Sequence, residues 1–115
     1  MVAQPMEVFA SGGRSAGQRV LTCRGPLTML TLDPLRQALQ AETSPVLILV
    51  FHDVPQMDSA GLGMLLQLHA TFTRTNRRLA IAGVVERVRA SLEVTGISSV
   101  LSLYSTRADA EQALS

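Results

Sequence analysis

SPVLILVFHDVPQMDSAGLGML, Ser44–Leu65, joins two different periodicities. Val46–Phe51 is an unbroken run of Val, Leu, Ile and Phe. A run with no polar alternation reads as a strand buried on both faces, the pattern of a central strand covered by helices. Beyond it the spacing changes: Leu62, Leu65, Leu66, His69 and Phe72 share one face at helical intervals. A helix is therefore predicted from near Asp58 to about Asn76. A buried strand feeding an amphipathic helix is the repeating unit of an α/β sheet.

The rest of the chain repeats that unit. Upstream, Glu7–Ala10 and Arg19–Arg24 read as two strands around the Gly-rich turn SGGRSAGQ, and GPLT (Gly25–Thr28) breaks the second. LTLDPLRQALQAE reads as a helix with Leu32, Leu35 and Leu39 on one side, Asp33 as N-cap and Pro34 first inside. Downstream, RRLAIAGV is a strand and VERVRASLEVTG a helix closed by Gly96. VLSLY is a last strand, and STRADAEQAL a last helix capped by Ser105 or Thr106. The order ββαβαβαβα implies a largely parallel sheet with right-handed crossovers. Arg74, Arg77 and Arg78 read as a solvated helix end matching the C-terminal dipole, with a patch for an acidic partner as the alternative.

Length and composition narrow the function classes. A chain of 115 residues is one domain, 1–115, with its core from about residue 6 to 114. Net charge is +1, which gives no pull toward nucleic acid. There is no lysine, so Schiff-base and P-loop chemistry are excluded. His52, His69 and the single Cys23 do not make a zinc site, and no cofactor is expected. The longest apolar run is too short to span a bilayer, and MVAQPMEVFASGG lacks the basic start of a signal peptide. No membrane insertion is expected, and the cytoplasm is the simplest location.

Ser59 is the residue to explain. Gly61 and Gly63 suggest a dinucleotide fingerprint, but its third glycine position holds Leu66. A nucleophile elbow needs glycine two residues before the serine, where Met57 stands, and nothing orients His52 or His69 as a base. No catalytic residue is assigned. Small residues at Ala60, Gly61 and Gly63 fit close packing of the first helical turn. Asp58 fits an N-cap, which places Ser59 in that first turn with its hydroxyl near the surface. Phosphate there is compatible with the helix dipole yet adds nearly two negative charges. An apolar partner over Leu62 and Met64 would then be repelled. Spacing alone leaves this switch and a plain helix start both open.

VPQMDSAGLGMLLQLHATF, with PVLILVFHDV before it and RLAIAGVVERVRASLEVTGI after it, resembles the STAS domain, and more narrowly the bacterial anti-sigma factor antagonists. The resemblance runs from about Val20 to Leu114. It implies an α/β single domain whose mixed, mostly parallel sheet has helices on one face, and a binding protein without catalytic activity. It implies as partners an anti-sigma factor that is also a serine kinase, and a phosphatase, so that a sigma factor is released and transcription follows. Ser59 then corresponds to the phosphorylated serine and Asp58 to the motif acid. Gly61, Leu62 and Gly63 match the remaining motif positions, with Met64 beside them. The family commonly carries G-E-L-D where this chain has GPLT, so Pro26 and Thr28 replace two acids. Thr28 is retained as a partner-loop residue. The alternative implied is a non-switching STAS scaffold subunit of a transporter or signalling assembly. A homodimer is left open.

Overall fold

The computed structural model describes residues 5–115. The expectation of no signal peptide rests partly on residues 1–4, which lie outside that range. The elements run β1 (Glu7–Gly12), β2 (Gln18–Arg24), α1 (Asp33–Ala41), β3 (Val46–Asp53), α2 (Ser59–Arg74), β4 (Arg78–Ala82), α3 (Glu86–Val94), a 3-10 turn (Ile97–Ser99), β5 (Leu103–Tyr104) and α4 (Arg107–Ala113). They form an α/β domain with one five-stranded sheet in the order β1-β2-β3-β4-β5. β1 pairs antiparallel with β2, and the other three pairings are parallel.

β3 is the central strand that its composition predicts: Leu47, Ile48, Leu49, Val50 and Phe51 are all buried. Alternation divides them between two cores. Leu47, Leu49 and Phe51 face Leu35 of α1, Leu65 and Phe72 of α2, and Val88 and Leu92 of α3. Ile48 and Val50 face the other way, with Val20, Ala80 and Ala82, onto Ala110 and Leu114. Helices on one face thus describes α1, α2 and α3, while the short α4 alone crosses the opposite face. Buried Gln18 fastens α4 there, its Nε2 donating to the Glu111 carbonyl at 2.8 Å. No helix of the described residues is long and apolar enough to cross a membrane.

The structure differs from expectation at four places. Asp33 is the first residue of α1 and not its cap; Leu32 holds the cap position, and its aliphatic side chain, buried in the core, has no oxygen with which to cap. Within VLSLY only Leu103–Tyr104 is a strand. Ile97 and Leu101 both enter the core, and the Leu101 amide bonds the Ile97 carbonyl at 3.2 Å, which winds this segment instead of extending it. On α2, Leu65 and Phe72 are buried, Leu62 and His69 half-buried, and Leu66 exposed, so the buried stripe is narrower than the apolar one. Finally, Arg77 is not solvated. Asn76 takes the left-handed conformation (φ 58°) and turns the chain back. Arg77 then lies 3.9 Å from the centroid of the Phe72 ring and donates to the carbonyls of Ser44 (2.8 Å) and Glu42 (3.2 Å).

Candidate functional site

Ser59 stands where β3 hands over to α2, and the loop after β2 runs alongside. Gly25 donates to the Asp53 carbonyl (2.9 Å), Leu27 to Gln56 (3.0 Å), and Asp58 back to Leu27 (3.2 Å). Leu27 and Met57 form an isolated parallel bridge. The GPLT segment is therefore zipped to the helix approach, with fully buried Leu27 as its anchor.

That zip explains one glycine and not the other. A Cβ on Gly61 would lie 2.6 Å from the Leu27 carbonyl oxygen and 2.9 Å from Leu27 Cγ. Only glycine lets this turn approach the loop so closely. Gly61 is consequently buried. A Cβ on Gly63 would meet nothing within 4 Å. Gly63 is exposed and opens onto solvent.

Asp58 is the N-cap of α2 as expected, with an extended backbone (φ −105°, ψ −173°). Its Oδ1 accepts from the amides of Ala60 (3.0 Å) and Gly61 (3.1 Å). Its Oδ2 accepts from the Met29 amide at 3.0 Å, across 29 residues of chain. The Met29 amide above all, with those of Gly61 and Ala60 behind it, holds the carboxyl below its ordinary value against an opposing effect of desolvation. Three backbone donors thus fix this exposed carboxylate, which keeps its charge. Ser59, next in sequence, is the first helical residue and is exposed.

Thr28 is half-buried and used locally. Its amide donates to Thr31 Oγ1 (2.9 Å) and its hydroxyl accepts from the Leu30 amide (3.3 Å). Buried Thr31 in turn donates its hydroxyl to the Pro26 carbonyl (2.6 Å). The braced turn holds Met29 and Leu30 outward, 72% and 74% exposed. The sequence reading missed both. The only signal for them is a pair of large apolar residues between two threonines, just after the GPLT break, and Leu30 opens the stretch that reads as a helix.

From Met29 a groove of about 990 Å³ runs between α1 and α2, over Leu32, Ala60, Gly63, Met64 and Leu68. Leu62 points to the other side of α2, half-buried, where it shares a recess of about 310 Å³ with Val94 of α3. Thus Asp58 and Thr28 brace the Met29–Leu30 turn, Gly63 and Met64 line the groove that starts there, Ser59 opens α2 next to Asp58, and Leu62 faces the other side of the helix. The histidines lie elsewhere. His52 sits on β3 with Nδ1 3.3 Å from Asp53 Oδ1. His69 is ten residues along α2 from Ser59, about 15 Å by helical rise. Among the described residues no three His, Cys, Asp or Glu side chains gather as metal ligands.

Comparison with known proteins places this arrangement. A family model described as the STAS domain matches residues 14–110. No match was found among curated proteins. Among solved structures, a Thermotoga maritima protein assigned as an anti-sigma factor antagonist superposes with a TM-score of 0.84 at 17% identity, over 92% of each chain. A sulfate transporter family protein of Wolinella succinogenes gives 0.76 at 23%, over 86% of this chain and 85% of that one. The Bacillus cell fate determinant SpoIIAA in its phosphorylated form gives 0.73 at 15%, over 95% and 100%. At these identities the likeness is one of fold. With the family model spanning most of the chain, from β2 through the Asp58–Ser59 helix start into α4, the chain belongs to the STAS domain family.

Proposed function

We propose that this protein is a non-catalytic anti-sigma factor antagonist, acting in the bacterial cytoplasm and switched by phosphorylation of Ser59. It binds an anti-sigma factor of the serine kinase type and so releases a sigma factor for transcription; a phosphatase restores the binding form. The observation that carries this reading is an exposed serine at the first position of α2, beside a carboxylate already occupied by backbone amides and an open glycine. The hydroxyl is reachable by a kinase, and modifying it disturbs no core packing. Asp58, Thr28, Gly63, Met64 and Leu62 frame the partner surface. The likeness to phosphorylated SpoIIAA supports the reading at the level of fold.

The test is labelling with the cognate kinase and ATP, with the modified residue mapped by mass spectrometry. Label is expected on Ser59 and absent from Ser59→Ala; unchanged labelling of that variant rejects the switch. Ser59→Asp should fold normally and lose at least about 1.4 kcal/mol of partner affinity, a factor of ten. A second reading, a scaffold subunit of a transporter or signalling assembly, draws on the likeness to the Wolinella succinogenes transporter family protein. In that reading Ser59 only starts a helix. Recovery of transporter subunits from native extract with no kinase partner would favour it.

A further inference from the structure

We propose that the anti-sigma partner holds this chain through an apolar, uncharged element seated on Met29, Leu30 and the start of the α1–α2 groove. The proposal rests on the reading of the Ser59 face as the docking face and names the chemistry of that contact. Met29 and Leu30 are the two most exposed large apolar residues flanking the helix start, at 72% and 74%. They are held out by a turn closed through Thr28 and Thr31, so little ordering remains to be done on binding. Their backbone is tied to the Ser59 turn by the Met29 amide on Asp58. Asp58 keeps its negative charge, but that charge is held at the helix start and lies outside the groove lining. Asp58 accepts three backbone hydrogen bonds. Among the described residues lining the groove, the formal charges are Asp33 and Arg36, which bond one another at 3.1 Å. A charged side chain desolvated in the groove would find no unpaired counter-charge among its lining residues, an unfavourable arrangement, whereas an aliphatic or aromatic one would bury Met29, Leu30 and Met64.

Such a contact is insensitive to salt, because screening acts on charges. The experiment titrates this protein into the purified serine-kinase-type anti-sigma factor at about 50 mM and about 500 mM salt, bracketing strong and weak screening. The expected Kd changes less than about threefold between the two. The double variant Met29→Ala/Leu30→Ala should weaken binding at least tenfold, and Leu30→Glu further. Thermal melts should stay unchanged for both, since these side chains face solvent. Binding of the double variant at wild-type strength, or a tenfold loss of wild-type affinity with salt, overturns the proposal while leaving the phosphorylation reading intact. Failure of the unphosphorylated wild type to form any complex overturns both.

Discussion

Gly61 and Gly63 offer an internally controlled test, because the same substitution on the same helix should have opposite signs. Replacing glycine by alanine within a helix ordinarily adds up to about 1 kcal/mol of stability through reduced backbone freedom. Gly63 has open space around its would-be Cβ, so Gly63→Ala should realise most of that gain. At Gly61 the new methyl would stand 2.6 Å from the Leu27 carbonyl oxygen, and that atom is backbone. Leu27 cannot simply rotate away, because its amide and carbonyl are bonded to Gln56 and Asp58. Forced shifts of this kind typically cost about 1–3 kcal/mol. Subtracting the propensity gain leaves Gly61→Ala between about neutral and about 2 kcal/mol destabilised. The propensity gain is nearly common to both variants, so their difference, about 1–3 kcal/mol, isolates the steric effect. For a chain of this size each kcal/mol moves the melting point by about 4 °C. Thermal and urea denaturation followed by circular dichroism would read the order Gly63→Ala, wild type, Gly61→Ala. If Gly61→Ala proves as stable as Gly63→Ala, the helix start does not press on the GPLT loop, and the account of the site fails with it.

Three further outcomes follow from the same contacts. Asp58→Ala removes the cap and should destabilise by about 1 kcal/mol near neutral pH. Because the Asp58 carboxyl lies below its ordinary value of 3.8, its contribution is present above that value and lost as pH falls through the depressed one. The gap in melting temperature between wild type and Asp58→Ala should therefore close on acidification below pH about 4; a gap constant from pH about 6 to 2 would refute this. Burial pushes the Cys23 thiol up to about 12, so a thiol reagent at pH about 8 should leave the native protein unlabelled and label it fully in denaturant. Arg77→Ala should destabilise by about 2 kcal/mol through loss of two charge-assisted bonds and the Phe72 stack, while Arg74→Ala stays within about 0.5 kcal/mol. Equal effects of the two in thermal melts would return Arg77 to the solvated helix end.

What the sequence discloses about this fold depends on how far apart the interacting residues are. β3 is legible because both its faces are covered, which leaves no polar residue between Val46 and Phe51. The Asp58 cap is legible because a cap acts over two or three residues. The Oδ2 bond to Met29 is not, since it joins positions 29 residues apart and nothing local marks it. Arg77 fails for a related reason: three arginines near a helix end look alike until Asn76 turns only one of them under Phe72. The placement of α4 is hidden because its buried apolar contact consists of Ala110 and Leu114, too few residues to show which face of the sheet they cover. Met29 and Leu30 are hidden because apolar residues usually signal core, and here they do not.

The same bonds decide what a charge added at Ser59 can do. A helix start ordinarily absorbs an anion by offering free amides. Here two of those amides, on Ala60 and Gly61, already donate to Asp58. The carboxylate that takes them also stands next in sequence to Ser59, so a phosphate would meet a like charge and fewer open amides than an uncapped helix start offers. Little of the added charge is then neutralised internally. It remains on a surface whose other charges, Asp33 and Arg36, are engaged with each other. The cap that fixes the helix start thus also keeps that start from quenching the modification, and the burden of the new charge falls on whatever docks over Gly63 and Met64.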